Sequence, residues 1–231
     1  MADDEKVFLI TGASSGIGAA TAHAAAAQGY RLVLAARSRD RLEGLAAELG
    51  GDERALAVAC DVTEWDQQEA MAAAALERFG NIDVVFANAG FGAKRGFTAE
   101  SPEQWRSMVL TNVLGAAYTV RATIDALRES RGHLILTSSV AGRRPLQGSL
   151  YSATKHAVTA MGEAARQELN DSGVLVTLIE PGMVDTPFFD SGAADWALKP
   201  DDIARAILFA VSQPPHVDVN ELLIRPTAQP A

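Results

Sequence analysis

Tyr151 and Lys155 stand four positions apart in a segment, LYSATKHAV, that reads as the opening of a helix over 150–170. Positions i and i+4 of a helix share one face. An ammonium beside a phenol favours the phenolate and lowers its pKa from about 10. A tyrosine so placed is a usable general acid or base near neutral pH. Such pairs also arise by chance, so the surroundings decide. Ser138 and Ser139 close an apolar run, HLILTS, thirteen and twelve positions before Tyr151. A hydroxyl there can hold a carbonyl oxygen next to the tyrosine. Asn112 lies in MVLTNVLGAAY, a polar amide in an otherwise apolar helical stretch that needs a partner. It either fills a cap or kink, or holds a water that relays protons to Lys155.

A second group sits near the N-terminus. Thr11-Gly12-Ala13-Ser14-Ser15-Gly16-Ile17-Gly18 separates an apolar run at 6–11 from an alanine-rich helix pattern at 19–28. Gly12 lets the chain turn. Gly16 and Gly18 leave room for a pyrophosphate at the backbone and for close helix–strand packing. The free N–H groups and positive end of the helix then face the phosphates. No Gly-Lys-Ser/Thr follows, which excludes a P-loop. The next apolar run ends Ala36-Arg37-Ser38. An acid near this slot holds a ribose 2′-hydroxyl, whereas an arginine accepts a 2′-phosphate. Arg37, with Ser38 and Ser14 as hydroxyl donors, points to NADP(H) over NAD(H).

The elements that must position these groups alternate along the chain. Apolar runs at 6–11, 31–36, 55–59, 83–88, 132–138, 174–180 and 221–225 are separated by helical patterns at 19–28, 40–49, 64–79, 102–128, 150–170 and 200–211. The 102–128 stretch is one long helix or two in succession, with Ser101 as N-cap and Pro102 in its first turn. Near-continuous apolar strands between helices imply a parallel sheet covered on both faces. The fold class is a single-domain α/β, doubly wound Rossmann-type sheet. In such a sheet, ligands bind beyond the carboxyl ends of the strands. The segments there are TGASSGIG, AARSR, CDVT, ANAG, SSVAG and EPGMVDT.

Composition removes other classes. The chain has 231 residues, 48% hydrophobic and 21% charged, with a net charge of −9. That is a globular, acidic protein and a poor partner for a phosphate backbone, so no nucleic acid is expected. Cys60 is the single cysteine and the four histidines are scattered, so neither a disulfide nor a metal site is expected. No apolar stretch suits a membrane span, and the acidic start lacks a signal-peptide pattern; a cytoplasmic protein is expected.

Taken together, these motifs resemble the short-chain dehydrogenase/reductase family of the 250-residue type. TGASSGIG, CDVT, NAG at 88–90, TN at 111–112, SSVAG, YSATK and PGMVDT at 181–186 follow in order and span nearly the whole chain. The resemblance implies an oxidoreductase moving hydride between a nicotinamide cofactor and a carbonyl or secondary alcohol of a small aldehyde, ketone or hydroxy acid. It implies an Asn-Ser-Tyr-Lys tetrad on Asn112, a serine of 138–139, Tyr151 and Lys155. Gly12, Ser14, Ser15, Gly16, Ile17 and Gly18 would surround the pyrophosphate. Asp61 and Val62 would flank the adenine, Asn88, Ala89 and Gly90 would line the cofactor, and Pro181, Gly182, Val184 and Thr186 would hold its nicotinamide end. Family spacing fits Ser138 and motif position fits Ser139. Ser139 is preferred, because loops absorb deletions more easily than strands change register.

The segment 186–199 would cover the substrate, with Phe188, Phe189 and Trp196 either forming an apolar lid or packing the loop down. Arg143 and Arg144 either attract an anionic substrate or are solvated. Small residues on several faces of the helices at 102–128 and 150–170 predict their pairing across a two-fold axis, in a homodimer or homotetramer. The rival reading is a dinucleotide-sensing binding protein without turnover, which has no need of Tyr151 and Lys155 together.

Overall fold

A computed structural model describes residues 5–188 and 192–229. Phe189, in the substrate-covering segment, lies outside the described residues. Seven parallel strands form one sheet in the order β3-β2-β1-β4-β5-β6-β7. They are β1 Val7–Thr11, β2 Arg31–Ala36, β3 Ala55–Ala59, β4 Val84–Ala87, β5 His133–Thr137, β6 Leu175–Pro181 and β7 Glu221–Ile224. The order reverses between β1 and β4, which opens a crevice at their carboxyl ends.

Side chains alternate across each strand, and apolar residues occupy both faces. Val7 and Leu9 of β1 join one buried cluster, and Phe8 and Ile10 join the other. Helices α3 (Trp65–Phe79), α5 (Ala116–Ser130) and α6 (Leu150–Leu169) cover the first face through Met71, Leu127 and Val158. Helices α1 (Gly16–Ala27), α2 (Arg39–Glu48) and α7 (Pro200–Val211) cover the second through Ala22, Leu42 and Ile207. This is the doubly wound α/β sheet expected from the alternating pattern. No helix among the described residues is long and apolar enough to cross a membrane.

Two differences from the sequence expectation matter for the site. Helix α1 begins at Gly16, three residues before the alanine run, so its first turn is built from the glycine motif itself. The stretch at 102–128, expected as one long helix or two in succession, is two α-helical pieces, α4 (Pro102–Val109) and α5, and what the pattern did not show is the π-helical stretch at Leu110–Gly115 that joins them. A wide turn of this kind re-aims the side chains it carries, and Asn112 is among them.

Candidate active site

One cavity of about 540 Å³ runs across the carboxyl ends of the strands. Its walls include Gly12, Ser14, Ser15, Gly16 and Ile17 at the first turn, Arg37 after β2, Asp61 and Val62 after β3, and Asn88–Gly90 after β4. Ser139, Tyr151, Lys155, Pro181, Gly182, Val184 and Thr186 complete it. Of the residues expected from sequence, Gly18 and Asn112 stand behind the wall rather than in it.

The glycine turn shows why those positions take no side chain. Gly12 has φ +67° and Gly16 φ +54°, a region that only glycine enters freely. A Cβ at Gly18 would collide with the Gly12 carbonyl, so Gly18 serves the closure of the turn itself. A Cβ at Gly16 would press on Thr186 at 3.1 Å, narrowing the gap between the first turn and the segment after β6. Asn88 ties the strand ends together. Its Nδ2 donates to the Thr11 carbonyl at 3.0 Å, and its Oδ1 accepts from Thr137 Oγ1 at 3.2 Å. Asp61 accepts from the Thr63 N–H and hydroxyl at 3.0 and 2.8 Å, which fixes the turn after β3.

The two serines part company. Ser138 Oγ donates to the Lys155 carbonyl at 3.0 Å and contacts Thr159 Oγ1 at 2.7 Å, which locks it onto α6. Ser139 points the other way. Its hydroxyl donates to the Pro181 carbonyl at 3.3 Å, accepts from the Ala141 N–H at 3.1 Å and hydrogen-bonds Tyr151. Lys155 Nζ donates to the Thr137 carbonyl at 2.8 Å and lies 5.6 Å from the Tyr151 ring centroid. The Asn112 amide is engaged as a strap. Its Oδ1 accepts from the Phe91 N–H at 3.0 Å, and its Nδ2 donates to the Phe91 carbonyl at 2.9 Å and to Thr154 Oγ1 at 3.2 Å. It holds the loop after β4 against α6.

Burial dominates the electrostatics here. It pushes the Tyr151 phenol up to about 12, opposed by the Ser139 hydrogen bond, and pushes the Lys155 ammonium down to about 8. The expected lowering of the tyrosine is therefore absent in the bare protein, because neither charged form is solvated. Arg143, expected either to attract substrate or to be solvated, does neither. Its Nε sits 2.7 and 2.8 Å from the two oxygens of Glu180, which is 1% exposed, and its Nη2 pairs with Glu221. At the far end, Arg39 pairs with Glu43 at 2.7 Å, whereas Arg37 and Arg41 line the cavity without an ion pair among the described residues.

Several lining residues gave no signal in sequence. Arg41, in the first turn of α2, lines the cavity together with Arg37, which precedes that helix. Gln229 comes from the tail after β7, and its Oε1 accepts from the Met183 N–H at 3.0 Å beside Gly182. Arg95, Leu146 and Ser149 enter from loops of no fixed pattern. Phe188 meets the Tyr151 ring edge-on at 5.5 Å, so this member of the expected aromatic group lies against the catalytic candidate. Trp196 does not line the cavity and is 39% exposed.

A glycine-floored cleft at the switch point of a parallel sheet, with a buried Ser-Tyr-Lys cluster at one end, defines a Rossmann-type enzyme. The chain belongs to the short chain dehydrogenase family, whose model matches residues 6–195, and it is a dehydrogenase/reductase. It is 39% identical to an uncharacterised oxidoreductase of Staphylococcus saprophyticus, over 96% of this chain and 97% of that one. An alcohol dehydrogenase from the archaeon Thermococcus sibiricus, solved with 5-hydroxy-NADP, superposes with a TM-score of 0.92 at 37% identity. That match covers 98% of this chain and 99% of the other. A serine dehydrogenase from Escherichia coli gives 0.88 at 31% identity, over 97% and 100%.

Proposed function

We propose that the protein moves a hydride between NADP(H) and the carbonyl or secondary alcohol of a small substrate, with Tyr151 as general acid and base. The observation that carries this reading is the meeting of Ser139, Tyr151 and Lys155 in one cavity whose other end presents Arg37 and Arg41 without an ion pair among the described residues. The residues present fit a dinucleotide. Gly12 and Gly16, at positive φ, let the backbone approach a pyrophosphate, and the N-terminus of α1 faces it. Arg37 and Arg41 would take a 2′-phosphate, with Asp61 and Val62 beside the adenine. Pro181, Gly182, Val184 and Thr186 would border the nicotinamide, which when bound supplies or accepts the hydride. The alcohol dehydrogenase complexed with 5-hydroxy-NADP supports the choice of cofactor.

In reduction, the Ser139 hydroxyl orients the substrate oxygen and Tyr151 gives it a proton as the alkoxide forms. A phenol held up at about 12 is fully protonated at neutral pH and starts in the form a general acid needs. Lys155 stands close enough to stabilise the phenolate left behind. Asn112 is a positioning residue, because it fixes the Phe91 backbone and Thr154 on either side of Lys155. We further propose that the chain pairs through α4, α5 and α6 into a dimer or tetramer. Gly115 and Gly162 pack inward on Val62 and Leu178, which leaves Ala153, Ala160 and Ala164 as the exposed small residues of α6. The deciding experiment follows NADPH and NADH oxidation against a panel of aldehydes, ketones and keto acids. NADPH-dependent turnover is expected. Failure to turn over any carbonyl compound, or failure to bind NADPH, would overturn the reading.

A further inference from the structure

We propose that Arg95 is the recognition group for a carboxylate on the substrate, so that the preferred carbonyl compounds are small anionic ones with an apolar body. This rests on the oxidoreductase reading and names the substrate class of the same site.

The loop after β4 carries Arg95 to the cavity wall. Its place there is fixed by the backbone. The Gly96 N–H donates to the Gly148 carbonyl at 2.8 Å, and Gly148 has φ +60° with no room for a Cβ beside Gly96. The residue before this clamp is Arg95, and Tyr151 lies three residues after it. The guanidinium therefore belongs to the mouth above Tyr151, at the opposite end from Arg37 and Arg41.

Charge bookkeeping isolates Arg95. In a chain of net charge −9, the cavity wall carries Arg37, Arg41, Arg95 and Lys155 against Asp61 alone among the described residues. Asp61 is committed to Thr63. Lys155 is buried on the Thr137 carbonyl. Arg37 and Arg41 fit the cofactor phosphate. Arg143 is spent on Glu180 and Glu221, and Arg144 does not line the cavity. Arg95 has no carboxylate within ion-pair distance among the described residues. Phe91, Leu146, Met183 and Phe188 make the rest of the mouth apolar. An arginine fork in such a rim matches a carboxylate in two parallel hydrogen bonds.

The test compares 4-formylbenzoate with benzaldehyde as substrates for NADPH oxidation, in the native protein and in Arg95→Gln. In parallel, calorimetry measures 4-formylbenzoate binding to each protein in the presence of NADP+, where no reduction occurs. The native protein is expected to favour the carboxylate in kcat/KM by about tenfold or more, and Arg95→Gln to bring that ratio close to one. The binding constant should weaken by a similar factor, and the native preference should shrink as salt rises. Turnover of benzaldehyde with no advantage for 4-formylbenzoate would overturn this assignment while leaving the oxidoreductase reading intact. An advantage that survives Arg95→Gln, with the melting temperature unchanged, would overturn it equally. Binding that depends on Arg95 without turnover of either aldehyde would support the carboxylate site and leave the oxidoreductase reading to the wider carbonyl panel.

Discussion

Strand β5 has a buried titratable group in contact with each of its ends, and the two have opposite consequences. At its amino end, His133 is 4% exposed and its Nε2 lies 2.7 Å from Thr177 Oγ1. Burial alone pushes it down to about 4. At the carboxyl end, burial pushes Tyr151 up to about 12 and Lys155 down to about 8. The displaced pKa values look alike, but only the second set borders a cavity with room for a ligand. A shifted pKa reports burial; a site also needs space and convergent partners. The comparison predicts that Tyr151 and Ser139, at the carboxyl end, can be altered with little effect on stability and a large effect on rate, and His133, at the amino end, the reverse.

The largest effect is expected at Tyr151. Tyr151→Phe should lose about 10²–10⁴-fold in kcat, as removal of a general acid does. NADPH binding, followed by fluorescence, should persist. Ser139→Ala should be far more damaging than Ser138→Ala, because Ser139 reaches Tyr151 while Ser138 is tied to α6. Near-normal kcat in Tyr151→Phe would remove the proposed mechanism and leave only fold and family.

Arg143, near the same carboxyl end but outside the Ser139–Tyr151–Lys155 cluster, is expected to matter for stability instead. Removing it leaves the Glu180 carboxylate buried and unpaired, a change that costs about 3–5 kcal/mol when both partners are inside. Arg143 is one-third exposed, so Arg143→Ala should fall near the low end, about 3 kcal/mol by urea unfolding. The second change Glu180→Gln should restore part of the loss. A melting curve unchanged in Arg143→Ala would show that Glu180 is satisfied without it.

How much of this was legible in the sequence varies with the physics involved. The parallel sheet and its coverage on both faces follow from alternating apolar runs and glycine stops, and α7 appears with the bounds its Pro200 start suggested. The period of a strand predicts that Ser138 and Ser139 point to opposite sides, as their hydrogen bonds show, while the choice between them as the working serine rests on motif position. The π-helical stretch shows in the sequence only as Asn112, a polar amide in an apolar helix; its partners, Phe91 and Thr154, are tertiary and no pattern names them. The direction of the Tyr151 shift was misjudged, since helix spacing shows that Lys155 is near but not that both groups are desolvated. Gln229 and Arg95 reach the site from loops, whose paths no periodicity encodes.

At the adenosine end the expected effect is moderate. Arg37 and Arg41 are exposed, so their loss should barely change stability. A charged phosphate contact contributes about 1.5–3 kcal/mol, or about 10- to 150-fold. NADPH should be preferred over NADH within that range, and Ala36→Asp with Arg37→Ile should erode or reverse the preference. Equal kcat/KM for the two cofactors in the native protein would remove the role given to these arginines.

His133 should give the smallest effect, and one confined to stability. Its folded pKa, about 4, lies below the 6.5 of the unfolded chain, so the unfolded state binds the proton first. Above pH 6.5 the ring is neutral in both states and costs nothing. As pH falls below 6.5, unfolding is progressively favoured, and the loss is complete only below about 4. At pH 5.5 the linkage amounts to about 1.4 kcal/mol. Burial sets the sign, and Thr177 Oγ1, which donates to the Val219 carbonyl, is left to accept from Nε2–H and so fixes the tautomer. His133→Gln keeps a donor there but has no charge to gain. Urea unfolding at pH 7.5 and 5.5 should therefore show a smaller acid-induced loss in His133→Gln than in the native protein, by about that amount. Identical losses would mean that carboxylates elsewhere set the acid limit. The amino end of β5 would then differ from the catalytic end in having no titrating consequence at all.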